Sequence, residues 1–396
     1  MLRDPQAVRE ALEALSRDHL RRARRCVEGF DGDDSAAAPV VDGRARVNFC
    51  SNDYLGLARD PRVATAMIEA ARRWGVGAGA AHLVSGHTRE HHALEEELAT
   101  FTGRESALLF STGYMANLGV MQAFVGRGEM LLQDRLNHAS LLDGAQLSGA
   151  KLLRYTHADI DDAARRFESA EAPIALLATD GVFSMDGTIA PVAQLASLAK
   201  RNAAWFMVDD AHGFGVLGTG GGGVAESMRL GSDDLPLLMG TLGKAFGSFG
   251  AFVVGDRDVI DLLLQRARTA VYTTAMPAPV AAATRAALRI LREESWRRDR
   301  LAALIVRFRA GCAAAGIPLT ASTTPVQPIL IGESRPALTV SRALWDAGWW
   351  VSAIRPPTVP RGTARLRVTL SAAHGDAQVD GLVEALARVL APSGAA

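Results

Sequence analysis

Lysine is almost absent from this chain of 396 residues, although basic residues are not. Of the 43 lysine and arginine residues only three are lysines, at positions 151, 200 and 244, and the other 40 are arginines. Chemistry that needs a primary amine side chain therefore has three candidates. Cysteine is equally scarce. Its three residues are far apart and form no C-x-x-C pair, so neither a disulfide framework nor a cysteine-based zinc site is indicated.

An excess of charge of one sign and long apolar runs are also missing. The 43 acidic residues balance the 43 basic ones, so the protein has no net positive charge whose electrostatic field would attract nucleic acid or an anionic membrane. No apolar stretch approaches the roughly 18 residues of a membrane span. The N-terminus lacks a signal-peptide core, and acidic residues among its arginines argue against a mitochondrial presequence. The sequence predicts a cytoplasmic protein with no nucleic-acid or membrane partner.

Short apolar runs alternate with amphipathic segments from Val47 onward, after a polar, arginine-rich helix predicted over residues 5–28. Strands that alternate with helices predict an α/β fold with a mostly parallel sheet covered on both faces. A long helical stretch, 277–315, then leads to a second α+β pattern. We therefore predict three parts: an N-terminal helical arm, a large α/β domain and a small C-terminal α+β domain, over residues 1–46, 47–285 and 286–396.

Two motif matches point to sites that the surrounding sequence does not support. Gly213–Gly218 has the G-x-G-x-x-G of dinucleotide binding, but no helix opens on it and no acidic ribose partner follows about 20 residues later. His87–His91 has the H-x-x-E-H of some zinc proteases, but no third ligand is evident. We expect neither a dinucleotide site nor a metal site.

Lys244 stands out among the three lysines. It lies in the run GTLGKAFG directly after an apolar run, at a strand end of the kind where α/β proteins place ligands. A lysine in a tight, partly apolar turn can serve as a Schiff-base nucleophile. Lys151 and Lys200 have charged or polar neighbours at the ends of predicted elements. We therefore interpret those two as surface charges.

Other residues could complete a pyridoxal phosphate site around Lys244. Asp209 and Asp210 follow a buried run, where a carboxylate needs a cationic partner such as a pyridinium nitrogen, and spacing leaves the choice between them open. The strand 107–110, the turn STGY and the next helix would offer backbone N–H groups to a phosphate, and Thr241 could add a hydroxyl. A lone histidine such as His138 is more often structural, but it could stack on a flat ring.

These residues belong to a longer series of motifs that resembles the α-oxoamine synthases, a family of fold type I pyridoxal-phosphate enzymes. The resemblance covers nearly the whole chain, and the motifs have the family's order and spacing. They are NFCSNDYLGL, GAGAAHLVSGHTREHHALEEELA, FSTGYMAN, DRLNHASLLDGAQLSGA, GVFSMDG, VDDAHGFGVLG and GTLGKAFGSFGA.

The resemblance implies a role for each cofactor-site residue. Lys244 would bond to the aldehyde of pyridoxal 5'-phosphate, Asp209 would pair with its pyridinium nitrogen, and His138 would stack on the ring and approach the substrate. His212 and Ser184 would contact the phenolic oxygen. Four residues would hold the phosphate, the last of them across the interface of a homodimer: Gly113, Tyr114, Thr241 and Thr274.

The resemblance also implies the substrates. The C-terminal run AIRPPTVPRGTARLRVTLSAAH favours the member of the family that acts in biotin biosynthesis, an acyltransferase that condenses L-alanine with pimeloyl-CoA or pimeloyl-acyl carrier protein. Arg367 and Asn52 would hold the amino-acid carboxylate. Thr358 and either Arg21 or Arg22 would contact the acyl substrate. The alternatives are a family member that joins glycine to a short acyl-CoA and a non-catalytic binding protein on the same fold.

Overall fold

The computed structural model describes residues 4–30 and 37–391, so parts of the predicted first and last domains lie outside the described residues. It forms two compact units. The larger unit comprises residues 52–184 and 188–299. The smaller unit comprises the described residues before 52, the short segment Met185–Gly187, and the described residues from Arg300 onward. These bounds differ from the predicted domain limits at residues 46 and 285.

The larger unit is built on one seven-stranded sheet. Its strands, in chain order, are β5 (Ser106–Phe110), β6 (Met130–Asp134), β7 (Lys151–Tyr155), β8 (Ile174–Asp180), β9 (Trp205–Asp209), β10 (Leu237–Thr241) and β11 (Ala251–Gly255). The order across the sheet is β5-β11-β10-β9-β8-β6-β7. The pairs from β10 to β7 are all parallel, and β11 is antiparallel to both of its neighbours. The predicted α/β fold with a mostly parallel sheet is confirmed.

Helices connect these strands and cover the sheet. They are α2 (Pro61–Trp74), α3 (Arg89–Thr102), α4 (Gly113–Phe124), α5 (Ala139–Ser148), α6 (Ile160–Glu168), α7 (Val192–Arg201), α8 (Gly223–Ser227), α9 (Arg257–Arg266), α10 (Arg268–Val271) and α11 (Ala278–Glu293), with a π-helical turn at His82–Gly86. Helix α11 packs on α2 and α3, which is why the larger unit extends beyond the predicted limit at residue 285. The next helix, α12 (Trp296–Ala314), contains the boundary between the units.

The parallel strands bring several polar side chains to one edge of the sheet. Strands β6, β8 and β9 are buried almost throughout, as expected for a sheet covered on both faces. They end in Asp134, Asp180 and Asp209, and β10 ends in Thr241. Asp180 and Asp209 lie opposite each other in the register of β8 and β9. The carboxyl edge of the sheet is therefore the polar part of an otherwise apolar core.

The glycine-rich stretch after β9 has a structural explanation. Gly215 and Gly218 take positive φ angles of 78° and 81°, which other residues rarely adopt. A Cβ atom on Gly213 would lie 2.0 Å from Asp210 Oδ1. The backbone N–H groups of Gly220 and Gly222 donate to the Glu226 carboxylate at 2.7 and 2.6 Å. The match to the dinucleotide motif thus reflects a loop folded tightly around two carboxylates.

The smaller unit has an α+β composition, as predicted for the C-terminal region. Beside the rest of α12 its elements are α1 (Pro5–Arg17), β1 (Gly29–Phe30), β2 (Pro39–Val41), β3 (Arg44–Ala45), β4 (Val47–Asn48), β12 (Val326–Gly332), α13 (Ser334–Asp346), β13 (Trp349–Trp350), β14 (Ser352–Ile354), β15 (Ala364–Thr369) and α14 (Asp376–Leu390). Two three-stranded sheets have the orders β1-β2-β3 and β12-β15-β14, and β13 pairs with β4.

The N-terminal helix is shorter than the sequence pattern indicates. It was predicted over residues 5–28, but α1 ends at Arg17. His19 takes a positive φ of 56°, which is incompatible with continuing the helix. The arginines at positions 21 and 22 therefore lie outside the helix, in chain without regular secondary structure. Within residues 4–30 and 37–391, no helix combines the length and the apolar character that a membrane span requires.

Candidate active site

A cavity of about 200 Å³ lies in the larger unit, at the carboxyl edge of its parallel strands. Eight of the nine residues predicted to bind the cofactor line it. Toward the start of α4 and the end of β10 these are Gly113, Tyr114 and Thr241. The others are His138, Ser184, Asp209, His212 and Lys244. Residues that the sequence places up to 131 positions apart thus meet around one small space.

Lys244 is the lysine that lines the cavity, in the turn after β10, where it is half-buried. The other two lysines are exposed and paired with carboxylates. Lys151 Nζ lies 2.5 Å from Glu171, and Lys200 Nζ lies 3.4 Å from Asp234. This distribution agrees with the interpretation of Lys151 and Lys200 as surface charges. It leaves Lys244 as the primary amine of this cavity.

Asp209, and not Asp210, lies in the cavity. Its carboxylate accepts hydrogen bonds from the Ala211 backbone N–H at 3.0 Å and from Asn117 Nδ2 at 2.6 Å. Asp210 is fully buried, and its Oδ2 accepts from the Val224 backbone N–H at 2.7 Å. Burial raises the pKa of Asp210 well above its usual range. Of the two adjacent carboxylates, Asp209 is therefore the one placed to meet a cationic ring nitrogen.

A second carboxyl group, that of Asp180, accompanies Asp209 in the cavity wall. Both of its oxygens lie within 3.3 Å of the His138 backbone nitrogen, which donates to them. Burial, and the negative charge of Asp209 beside it, raise the pKa of Asp180 well above its usual range. The protonated form of Asp180 is thereby favoured.

His138 is the N-cap residue of α5. Its ring Nδ1 lies 2.7 Å from Ser140 Oγ and accepts from the Ser140 backbone N–H at 3.3 Å. Its ring also makes an edge contact with the ring of Tyr114, with the centroids 6.2 Å apart. These contacts fix the imidazole against the cavity, where it can stack on a flat ligand.

His212 contacts a residue that the sequence analysis did not select. Its Nδ1 lies 2.5 Å from the hydroxyl oxygen of Tyr54, within the same unit. The Tyr54 hydroxyl in turn donates to Asn52 Oδ1 at 3.4 Å. Asn52, predicted to hold a substrate carboxylate, is thus linked to the cavity wall through Tyr54 and His212.

Thr274 lies outside the cavity lining, in the larger unit, where its backbone forms an isolated bridge with Ala81. The remaining predicted residues belong to the smaller unit. Arg367 is buried on β15 and donates from Nη1 to Thr369 Oγ1 at 2.9 Å. Arg22 donates from Nη2 to Thr358 Oγ1 at 3.2 Å. Two of the residues predicted to contact the acyl substrate are therefore neighbours.

The predicted acyl contact region contains a further guanidinium group. Arg355 donates to the backbone oxygen of His19, three residues before Arg22. Burial and the nearby charge of Arg22 lower the pKa of Arg355. Two arginines close enough to repel each other beside Thr358 would accommodate an anionic group.

The cavity residues fit pyridoxal 5'-phosphate. An amine, a carboxylate and an imidazole face one space, as the aldehyde, the pyridinium nitrogen and the ring face of this cofactor require. Gly113 and Tyr114 are the first two residues of α4, where backbone N–H groups have no partner inside the helix and can bind a phosphate. The donor set matches each part of the cofactor with a complementary group.

The H-x-x-E-H match lies in a separate cluster of histidines. His82, His87 and His91 are close enough to share a metal ion. However, His91 Nδ1 accepts from the Thr88 backbone N–H at 3.0 Å, and its Nε2 lies 2.7 Å from the Met276 carbonyl oxygen. His82 and His87 are joined to each other through their Nδ1 atoms at 2.9 Å. Hydrogen bonds therefore engage ring nitrogens that a metal would need.

Four residues of the cavity region were missed by sequence reasoning, and only one of them carried a usable signal. Asp180 follows a buried apolar run, as Asp209 does, and could have been found by the same argument. Asn117 and Ser140 are polar residues within helices, and Tyr54 belongs to a short loop. Nothing in their spacing indicates a shared site.

Comparison with known proteins agrees with this site. The model of the class I and II aminotransferases matches residues 44–386. A curated relative named 8-amino-7-oxononanoate synthase, from Alkalilimnicola ehrlichii, is 60% identical over 96% of this chain and 97% of its own. The protein of the same name from Methylococcus capsulatus is 60% identical over 95% of this chain and 96% of its own.

Solved structures give the same result for the fold. Serine palmitoyltransferase from S. paucimobilis superimposes with a TM-score of 0.92 at 28% identity, covering 98% of both chains. 8-Amino-7-oxononanoate synthase from Francisella tularensis superimposes with a TM-score of 0.76 at 29% identity, covering 87% of this chain and 97% of its own.

The fold and the cavity define a fold type I transferase that depends on pyridoxal phosphate. Within the class I and II aminotransferases, the chain belongs to the family of the 8-amino-7-oxononanoate synthases. It is therefore an acyltransferase, as the resemblance implied.

Proposed function

We propose that this protein joins L-alanine to a pimeloyl thioester, with loss of carbon dioxide and release of the thiol, to give 8-amino-7-oxononanoate for biotin biosynthesis. One observation carries the proposal. Lys244 and Asp209 face a single cavity in a chain that is 60% identical to curated enzymes of that name. The acyl carrier is coenzyme A or acyl carrier protein.

The cofactor residues have distinct tasks in this reaction. When bound, pyridoxal phosphate supplies a cationic ring that takes up negative charge formed at the amino-acid Cα. Asp209, whose carboxylate is held in place by Asn117 and Ala211, would keep the proton on the ring nitrogen. Lys244 would hold the cofactor through its amine, and as a free amine it would be the base that removes the proton from the alanine Cα.

His138 acts on the acyl substrate. It lies in the cavity wall and can donate a hydrogen bond to the thioester oxygen as negative charge develops there. A new carbon–carbon bond forms between the alanine Cα and the thioester carbon, and the thiol leaves. The alanine carboxyl group then leaves as carbon dioxide, and a proton returned to Cα completes the product.

The two substrate carboxylates need separate partners. Arg367 can grip the alanine carboxylate in a bidentate pair, with Asn52 as a second donor. Arg22 and Thr358, which already contact each other, would hold the distal carboxylate of the pimeloyl chain, with Arg21 as the alternative arginine. Arg355 adds positive charge to the same region.

An assay of product masses tests the proposed function. Purified protein loaded with pyridoxal phosphate is incubated with alanine or glycine and a panel of acetyl, succinyl and pimeloyl thioesters, on coenzyme A and on acyl carrier protein. The expected result is 8-amino-7-oxononanoate from alanine and a pimeloyl thioester, with one carbon dioxide released per product. Preferred use of glycine with a short acyl-CoA would contradict the proposal and favour the glycine-dependent alternative. Absence of any product would favour a binding protein.

Arg22 gives a test of the acyl contact. Replacing Arg22 with alanine is expected to raise KM for the pimeloyl thioester about 10-fold or more, because a hydrogen bond to a charged group contributes about 1.5–3 kcal/mol. KM for alanine should stay within about 2-fold, since the amino acid binds elsewhere. Arg21→Ala, the neighbouring control, should have the smaller effect. Equal effects of the two changes on KM for the thioester would contradict the assignment to Arg22.

The protein is further proposed to act as a homodimer. The bridge between Ala81 and Thr274 brings two exposed segments together. Their apolar side chains are largely uncovered, with Val84 79% and Tyr272 73% exposed. A second copy of the chain bound here would cover these side chains and would place Thr274 at the interface. From there Thr274 would contact the phosphate of the pyridoxal phosphate held by the partner subunit, as the resemblance implies.

A charge placed on this face tests the dimer. Tyr272→Glu is expected to convert the protein from dimer to monomer, because a carboxylate cannot be buried in an apolar interface without a partner. Light scattering coupled to size-exclusion chromatography measures the mass directly. Trp205→Glu, at another exposed aromatic residue, serves as the control and should remain dimeric. A monomeric unaltered protein, or a dimeric Tyr272→Glu, would contradict the proposal.

A further inference from the structure

A continuous chain of hydrogen bonds joins Asp209 to His138 through two buried side chains. Asn117 Nδ2 lies 2.6 Å from Asp209 Oδ2 and 2.8 Å from Ser140 Oγ. Ser140 Oγ lies 2.7 Å from His138 Nδ1. Asn117 and Ser140 are both fully buried, so water does not compete for these bonds. The carboxylate that would meet the ring nitrogen and the imidazole that would stack on the ring are thus coupled.

The direction of the first two bonds follows from the chemistry of their partners. A carboxylate accepts hydrogen bonds, so the Asn117 atom beside Asp209 must be the amide nitrogen. The opposite orientation of the amide would place its oxygen 2.6 Å from a carboxylate oxygen. Since that nitrogen carries two hydrogens and no lone pair for acceptance, it also donates to Ser140 Oγ.

The direction of the third bond follows from the second. Ser140 Oγ receives one hydrogen from Asn117, and its own hydrogen is available for His138 Nδ1. The Ser140 backbone N–H also points at that nitrogen, at 3.3 Å, and can only donate. A ring nitrogen that receives two donors is the one with the lone pair. In a neutral imidazole the proton then resides on Nε2.

We propose that Asn117 and Ser140 are positioning residues that hold neutral His138 in the tautomer with its proton on Nε2. His138 thereby presents a hydrogen-bond donor to the cavity and cannot serve as a base at that nitrogen. The task of removing the Cα proton falls to Lys244 alone. The consequence for catalysis rests on the proposed function, whereas the tautomer itself is a property of the folded chain.

Each group in this chain of hydrogen bonds sets the orientation of the next one. The charge of Asp209 selects the orientation of the Asn117 amide, and that amide sets the direction of the Ser140 hydroxyl. Asp180, which accepts from the His138 backbone N–H, holds the main chain at the start of α5. The direction of the hydrogen bond to Nδ1 and the position of the His138 backbone are thus set by separate contacts, and a change of the Ser140 side chain should alter the first without moving the second.

The tautomer can be measured directly. Protein labelled with nitrogen-15 in its histidine rings is studied by solid-state NMR, with and without cofactor, and the His138 signals are assigned by their loss in His138→Gln. The expected spectrum shows Nδ1 as the unprotonated nitrogen and Nε2 as the protonated one. A proton on Nδ1 in the unaltered protein would overturn the proposal. This result does not depend on which substrates the enzyme uses.

Variants test whether the relay sets the tautomer. Ser140→Ala removes the hydroxyl, so it is expected to populate the tautomer of His138 that carries its proton on Nδ1. It should also lower kcat about 10-fold, which is less than the 10²- to 10⁴-fold typical for full loss of a proton-transfer group. KM for alanine should stay within about 2-fold. Ser140→Thr keeps the hydroxyl and should retain the tautomer of the unaltered protein. Ser197→Ala makes the same change at an exposed position of α7 and should alter neither the tautomer nor kcat.

Asn117→Leu provides a second variant with a related side-chain shape. It removes the link between Asp209 and Ser140, so it should change the NMR signals of His138 although it does not contact that residue. An unaltered tautomer and unaltered kcat in both Ser140→Ala and Asn117→Leu would overturn the role of the relay. Melting temperatures show that each variant is folded before it is compared.

Discussion

Alanine in place of Lys244 is expected to abolish turnover and the visible absorbance band of the lysine-bound cofactor. In the proposed mechanism the Lys244 amine would bond to the cofactor aldehyde and would remove the Cα proton, so both functions would be lost together. We expect kcat to fall by at least about 10³-fold, within the range for loss of a general acid–base group. Steady-state kinetics and an absorption spectrum of the purified variant measure the two effects.

The scarcity of lysine supplies matched controls for this experiment. Lys151→Ala and Lys200→Ala remove exposed amines that are paired with Glu171 and Asp234. Exposed ion pairs contribute little to stability, about 0–1 kcal/mol, so both variants should fold and turn over normally. Normal activity of Lys244→Ala, or loss of the absorbance band in either control, would contradict the assignment.

Asparagine in place of Asp209 should produce the second largest effect. The neutral amide cannot keep the proton on the pyridine nitrogen, and we expect kcat to fall about 10²- to 10³-fold, comparable to the loss of one electrostatic stabiliser. The variant should also retain the cofactor less well in dialysis. Asn117 Nδ2 and the Ala211 N–H donate to different oxygens of Asp209, and an amide replaces one of these oxygens with an NH₂ group, so one donor would lose its acceptor and about 1–3 kcal/mol of stability should be lost.

The neighbouring residue is the control for Asp209. Asp210 lies outside the cavity lining, and burial raises its pKa, which favours an uncharged carboxyl group. Asp210→Asn can keep the hydrogen bond from the Val224 backbone N–H through its amide oxygen. Its kcat should therefore stay within about 3-fold of the unaltered enzyme. A greater loss of activity in Asp210→Asn than in Asp209→Asn would assign the pyridinium partner to the other carboxylate.

The alternation of apolar runs and amphipathic segments predicted the larger unit well. Strands β8, β9 and β10 are apolar enough to be recognised as buried, and parallel strands must place their ends at one edge. The sequence therefore located Asp209 and Lys244 at the same edge without a known structure. What spacing alone left open was the choice between Asp209 and Asp210. The side chains of adjacent residues at a strand end point in different directions, and tertiary contacts decide which one faces the cavity.

The relay from Asp209 to His138 could not be predicted in the same way. Asn117 lies on a mostly apolar helix, where a single buried polar residue has no periodic signal. Ser140 follows a histidine that is also an N-cap, so its hydroxyl has a plausible local role. Their relation to Asp209, 92 and 69 residues later in the chain, exists only after α4 and α5 have packed against the sheet.

The end of α1 shows a different limit of sequence reasoning. Residues 18–28 are polar and rich in arginine, which favours a continued helix, but the chain turns at His19 with a positive φ. Local propensity is weak where the helix buries no residue, and none of α1 is buried. Tertiary contacts such as that of Arg22 with Thr358 then decide the course of the chain.

One lysine of the three, Lys244, should carry the cofactor, and reduction with borohydride identifies the lysine that does. The reagent fixes the cofactor to the amine that holds it, and peptide mass mapping then identifies the modified residue. We predict a reduced phosphopyridoxyl group on Lys244 and none on Lys151 or Lys200. Modification of either exposed lysine in preference to Lys244, or a protein that holds pyridoxal phosphate without modification of Lys244, would contradict the account.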